Sequence, residues 1–246
     1  MWIFYFFLFS LNLFASVNNY STFNKLKYKT FFGNCPSKVA GDFAFILMKK
    51  FEEKPSLYDL KKFIADKKVD AKYFIEDYHI NFDPIDNSLK FQLDCPKPLL
   101  KANLLNEKNK LSYSAIMTHK GDLVDPSYEV FLQAEQKLNF DLPILTMKFD
   151  QGSNRDHEDL ALYFSQMDKM VYQNLAEAVL TNQNEMLLIL SFDHSPVRVF
   201  LGDKNWADKT AKLSRMINYF KVKKKYPSTI NLTQSKKIVV KFSDSP

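Results

Sequence analysis

The chain has 246 residues, 46% apolar and 25% charged, the balance of a globular protein and not of a disordered one. Its formal charge of +6 comes almost wholly from lysine, with arginine only at 155, 198 and 215 and no dense basic block interleaved with aromatic residues. That pattern argues against nucleic acid as a partner.

Met1 to Val17 are apolar apart from Ser10, Asn12 and Ser16 and carry no charge, the pattern of a signal peptide or a membrane anchor over residues 1–17. The run is somewhat shorter than the ~20 residues that span a bilayer. Leu13-Phe14-Ala15 puts bulky residues where a cleavage site wants small ones, so an uncleaved anchor is expected. Lys25, Lys27 and Lys29 follow the segment and no basic residue precedes it, the reverse of positive-inside; a basic tail encoded by an upstream start would remove the conflict. The remaining chain is expected outside the cytoplasm.

A first domain is expected over residues 24–95. Leu26, Tyr28, Thr30 and Phe32 alternate with Lys27, Lys29 and Phe31, giving a strand that stops at Gly33-Asn34. After Pro36, Val39, Phe43, Ile46, Leu47 and Phe51 share one helical face. In a second helix Ser56 caps, Asp59 stands three residues on, and Leu57, Leu60 and Ile64 point inward. A hairpin follows: Phe74, Tyr78, Ile80 and Phe82 on one side of the strand from Phe74 to Phe82, a turn at Asp83-Pro84-Ile85-Asp86-Asn87, then Leu89, Phe91, Leu93 and Cys95 alternating. With one sheet and two helices, the helices cover one face. Cys35 and Cys95 either pair in an oxidising compartment or stand as buried thiols.

A second, mostly β domain is expected over 98–242. Leu99–Leu105, Tyr113–Thr118, Tyr128–Phe131 and Ile144–Phe149 are strand candidates. Asn154 can cap a helix whose start is acidic at Asp156, Glu158 and Asp159 and whose buried face is Leu160, Phe164, Met167 and Val171. Ala178–Leu180 and Met186–Phe192 continue the sheet, and Asp193-His194-Ser195-Pro196 turns it. Val197, Val199 and Leu201 then alternate up to Gly202, Asp203 is placed to cap, and Trp206, Thr210, Leu213, Ile217 and Phe220 recur at helical spacing. Ile230 and Leu232 form one short strand, Gln234-Ser235 reverses the chain, and Ile238, Val240 and Phe242 form another. The chain thus ends on a sheet edge, whose unpaired backbone groups are either protected or used to recruit another chain.

Catalytic readings fare poorly. Ser191 or Ser195, His194 and Asp193 are neighbours in a hairpin turn, point apart and cannot form a relay. His157 beside Glu158 and Asp159 fits an acidic first helical turn better than a metal cluster, and no metal-ligand spacing of Cys or His occurs. The five glycines stand singly, so there is no phosphate-cradling loop. The expectation is a non-enzyme without metal or cofactor.

Several stretches occur in a telling order: Pro96-Lys97-Pro98, Gly121-Asp122-Leu123-Val124-Asp125, Leu142-Pro143-Ile144-Leu145, Val199-Phe200-Leu201-Gly202 followed by Lys209, Lys212 and Leu213, and Ile230-Asn231-Leu232-Thr233-Gln234 followed by Ile238 to Phe242. In this order the chain resembles, over nearly its whole length, the FtsQ/DivIB family of bacterial cell-division proteins. Asn231 and Thr233 stand where that family commonly has Asp and Arg, and Lys237 where it has Gly. The resemblance implies an α+β protein: a β-α-α-β-β POTRA domain followed by a mixed, mostly antiparallel β domain with flanking helices, behind one inner-membrane anchor, with the bulk of the chain in the periplasm and enriched at the septum. It implies a non-catalytic scaffold that binds FtsB- and FtsL-like proteins, among other divisome membrane proteins, and helps control septal peptidoglycan synthesis. The expected binding edge is Lys236, Lys237, Ile238, Val239, Val240, Lys241 and Phe242, with Phe242 as best anchor and the lysines favouring an acidic partner or simply protecting the edge from aggregation. The alternative is a secreted POTRA-containing chaperone that receives unfolded β-strands along Phe74–Phe82.

Overall fold

The computed structural model describes residues 26–148, 154–181, 183–192, 195–234 and 236–242, without the side chains of 154 and 155. The expected anchor at 1–17, the capping side chain of Asn154 and the turn residues Asp193 and His194 lie outside the described residues. Among those described, no helix is long and apolar enough to cross a membrane.

Strand β1 (Lys27–Phe31) turns at Gly33, where φ is +53°, into helix α1 (Ser37–Glu53), which buries Val39, Phe43, Leu47 and Phe51 on one face. Helix α2 (Leu57–Lys67) begins where its cap demands, the Ser56 hydroxyl accepting the Asp59 N–H at 3.2 Å. It ends at Lys68 in the left-handed region, and a further turn of helix, α3 (Val69–Lys72), follows without any periodic signal in the sequence. That turn displaces Phe74 from the strand expected to contain it: Phe74 sits at φ +53°, and strand β2 (Asp77–Asp83) begins three residues later. Strand β3 (Ser88–Asp94) completes a sheet ordered β1-β3-β2, parallel between β1 and β3 and antiparallel between β3 and β2. Ile80, Leu89, Phe91 and Leu93 are buried with the apolar residues of the helices. Cys35 and Cys95 form a disulfide, which decides between the two readings of the pair. Beside it, the Asn34 side chain donates to the Cys95 carbonyl at 2.6 Å and accepts its N–H at 3.0 Å, extending the β1–β3 pairing by a side-chain mimic of a strand.

The second sheet is built from β4 (Pro98–Leu105), β5 (Leu111–Thr118), β6 (Leu123–Val124), β7 (Ile144–Lys148), β8 (Leu175–Leu180), β9 (Met186–Phe192), β10 (Ser195–Gly202), β11 (Thr229–Asn231) and β12 (Val239–Lys241). Their order is β12-β11-β10-β9-β8-β7-β4-β5-β6, with β4–β7, β7–β8 and β10–β11 parallel and the other pairs antiparallel. Helices α5 (Asn154–Ser165), α6 (Lys169–Gln173) and α7 (Trp206–Lys223) carry Leu160, Phe164, Val171, Leu213 and Ile217 into one core with Leu145, Leu188, Val199 and Ile230 of the sheet. The protein is therefore α+β, with a large mixed sheet and several helices.

Three local expectations are corrected. Tyr128–Phe131 is not a strand but part of helix α4 (Ser127–Ala134), because Asp125 accepts the Ser127 N–H at 2.8 Å and Tyr128 and Leu132, one turn apart, are both buried. The helix expected to run from Asn154 to Val171 breaks after Ser165; Asp168 accepts the Met170 N–H at 2.9 Å and starts α6 anew. Asp203 does not cap α7. Asn205 stands there at φ +57° without a side-chain bond, and the Trp206 indole N–H donates to the Gly202 carbonyl at 2.7 Å, pinning the first turn by its ring.

The small sheet does not keep its core to itself. Ile116, Tyr128, Leu132, Leu138 and Leu142, all beyond residue 98, join the cluster that contains Phe43, Leu60 and Phe91. The Tyr128 hydroxyl donates to the Pro96 carbonyl at 2.6 Å, and burial pushes its pKa up. Glu135 accepts from the N–H groups of Ser37 at 2.7 Å and Lys38 at 3.2 Å, Lys137 donates to the Cys35 carbonyl, and Lys120 pairs with Glu76 at 3.1 Å. Since Pro36 offers no capping side chain, the open N-terminus of α1 is closed by a carboxylate from the other sheet's connection.

Candidate interaction margin at the C-terminal sheet edge

The C-terminal unit starts from β10, whose Val197, Val199 and Leu201 are buried while Arg198 and Phe200 face out. Gly202, at φ +73°, turns the chain toward α7. On the first turns of α7, Lys209 is only 6% exposed; its ammonium donates to the Leu201 carbonyl at 2.5 Å and lies 3.4 Å from that of Thr233. One buried lysine thus ties the helix to the end of β10 and to the chain leaving β11. Helical periodicity marks Leu213 and Ile217 as core but gives no sign that a lysine on the same helix is buried too.

Strand β11 returns parallel to β10, with Arg198 N–H donating to Ser228 O at 3.0 Å and Leu232 N–H to Phe200 O at 2.8 Å. The turn beyond it is closed by Asn231, whose side-chain Oδ1 accepts from the Thr233 N–H at 2.9 Å and the Thr233 hydroxyl at 2.7 Å. Asn231 and Thr233 therefore work as a pair. Strand β12 then lies antiparallel to β11, with Thr229 opposite Lys241, Ile230 opposite Val240 and Asn231 opposite Val239. Ser228 adds its N–H and hydroxyl to the Lys241 carbonyl at 2.9 and 3.1 Å. Among the described residues β12 pairs only with β11, so its outer backbone margin is bare.

The seven residues expected at this margin divide into two sets. Val240 is half-buried against the main core, and Phe242, 37% exposed, packs edge-on against Phe220 at 6.2 Å between ring centres with the Lys225 ammonium 5.0 Å above its ring. These two serve the protein's own fold. Ile238 and Val239 are 44% and 49% exposed, and Lys236, Lys237 and Lys241 are exposed as well. The strand proper is three residues, shorter than the run from Ile238 to Phe242.

Register carries the margin across the sheet. Thr146, Val179, Leu187, Phe200, Asn231 and Val239 are successive cross-strand neighbours from β7 to β12, and Ile144, Glu177, Ile189, Arg198, Thr229 and Lys241 form the row beside them. None of these twelve residues is fully buried. The first row is largely apolar, and the second carries two cations in its last three places, Arg198 and Lys241 on either side of Thr229. A further strand laid on β12 would extend both rows.

Elsewhere, among the described residues no three His, Cys, Asp or Glu side chains are grouped so as to hold a metal ion. No model of a known protein family matches the chain, and no curated protein matches it.

Proposed function

We propose that the protein is a non-catalytic scaffold of the bacterial divisome of the FtsQ/DivIB type, with a POTRA-like first unit, which recruits FtsB- and FtsL-like partners by strand addition and helps control septal peptidoglycan synthesis. The observation that carries the reading is the bare outer margin of β12 at the end of a nine-stranded sheet. Support comes also from the order β1-α1-α2-α3-β2-β3 of the first unit, a β-α-α-β-β arrangement with the short helix α3 added before β2. The partner strand carries an apolar residue opposite Val239, where it joins the row through Phe200, and a carboxylate opposite Lys241. Each such cross-strand pair contributes roughly 0.2–1 kcal/mol beyond the backbone bonds. The protein is held in the inner membrane by residues 1–17, with its bulk in the periplasm.

Ile238→Asp with Val239→Asp tests this. Both side chains are more than two-fifths exposed, so the fold is retained, while the margin loses its apolar contacts and gains charge of the wrong sign. A fluorescent fusion of the parent chain concentrates at mid-cell and co-purifies the FtsB-like protein; the double variant loses the partner. Retention of the partner by the variant, or even distribution of the parent around the cell, refutes the reading.

One observation favours the second reading, a secreted assembly factor: β2 is also an outer strand of its sheet. Sequencing the N-terminus of the mature protein separates the two, since a start near Val17 belongs to the free factor and an intact Met1 segment to the anchored scaffold.

A further inference from the structure

A cleft of about 730 Å³ opens where the two sheets meet, within the size range of sites that enclose a ligand or a peptide side chain. Its walls are apolar: Phe74 and Ile75 from the first unit, Leu123, Val124 and Phe131 from the second. Phe74 lines it from a backbone conformation, φ +53°, that side chains rarely adopt, with its ring 4.9 Å from that of Tyr128. The aromatic wall is thus held in place against local preference by packing across the joint.

The rim has the opposite sign to the protein. On a chain of formal charge +6, the described residues that line the cleft include Glu76, Asp122 and Asp125 against one cation, Lys72, while Lys120, outside the lining, pairs with Glu76 at 3.1 Å. Asp122 and Asp125 are exposed. Asp125 already accepts the Ser127 N–H, and that hydroxyl and amide hold its carboxyl below the usual range, so it stays ionised. An apolar trough with a surplus of carboxylates selects an apolar side chain flanked by cations.

We infer that this cleft is a second docking site, for an extended peptide segment that presents an aromatic or long aliphatic side chain next to lysine or arginine. It differs in sign from the basic margin of β12 and does not depend on it. A ligand seated there touches both units at once.

Calorimetric titration of the full chain with an acetylated hexapeptide of alternating Lys and Phe tests this, beside the same peptide with Glu for Lys. The Lys-Phe peptide binds saturably with one site, weakens as salt is raised, and the Glu-Phe peptide does not bind. Asp122→Asn with Asp125→Asn keeps the acceptor for Ser127 and removes both charges; it weakens binding by about fivefold or more. Leu123→Ser, checked for folding by circular dichroism, weakens it independently. Ile238→Asp with Val239→Asp leaves it unchanged, which separates this site from the β12 margin. Equal binding of the two peptides, no effect of the Asp122/Asp125 pair, or no saturation up to millimolar peptide overturns the inference.

Discussion

Replacing Glu135 measures how tightly the two sheets are joined. Its carboxylate caps α1 from 98 residues away, accepting the Ser37 N–H at 2.7 Å and the Lys38 N–H at 3.2 Å. Those amides, with the Ser37 hydroxyl and the nearby Lys137 ammonium, bring its pKa from the usual 4.5 down to about 2. Each tenfold change in proton affinity is worth ~1.4 kcal/mol, which sets a ceiling of ~3.5 kcal/mol on the coupling to folding. The side chain is 25% exposed, and solvent screening brings the figure to about 1–2 kcal/mol, the range of a helix N-cap. The folded pKa lies below the unfolded one, so this stability is fully present above pH ~4.5 and is lost as pH falls toward ~2. Urea titrations of Glu135→Ala should therefore give an unfolding free energy about 1–2 kcal/mol below the parent at pH 7, with the gap closing between pH 5 and pH 2. A gap that stays constant to pH 2 would show that Glu135 acts by packing and not as a charged cap.

Other perturbations bear on the same framework. A Cβ at Gly121, where φ is +90°, would lie 2.7 Å from backbone atoms of His157 and Glu158, so Gly121→Ala should cost ~2–4 kcal/mol by denaturant titration. Ser replacements of Cys35 and Cys95 open a closure of 60 residues and should cost ~4 kcal/mol by the chain-entropy estimate, seen as an earlier urea midpoint in the oxidised protein only. The Ile238→Asp, Val239→Asp pair should leave the unfolding free energy within ~0.5 kcal/mol of the parent while co-purification of the proposed partner falls.

Legibility in the sequence followed the range of the interactions involved. Helix α7 was readable because Leu213, Ile217 and Phe220 repeat its period and all three are buried by one core. The hairpin β11–β12 was readable because Ile230 and Val240 sit opposite each other on the buried face. The helix at Tyr128 was not: Tyr-Glu-Val-Phe has the β-branched and aromatic content of a strand, and what makes it helical is the burial of Tyr128 and Leu132 under the first unit. Glu129 adds to this from the same turn, pairing with Lys101 of β4 at 2.9 Å. Phe74 failed for a related reason, since its place against Tyr128 spans 54 residues of sequence. The joint as a whole is made of such contacts, and local pattern contains no trace of them.

The margin itself raises the question of what its lysines are for. Lysines on an outer strand commonly prevent edge-to-edge aggregation, and on that account the apolar surface beside them should be small. Here Ile238 and Val239 are exposed beside Lys236, Lys237 and Lys241, and the row behind Val239 passes Asn231 and then runs on through the apolar Phe200 and Leu187. A purely protective edge has no use for that row, whereas an edge that receives a strand needs both its apolar contacts and a charge that selects the incoming sequence. Changing Lys236, Lys237 and Lys241 together to Gln separates the two roles. If they select the partner, the variant stays monomeric by light scattering while co-purification of the FtsB-like protein falls and loses its salt dependence. If they protect, the variant self-associates at micromolar concentration and the partner, where monomer remains, binds as before.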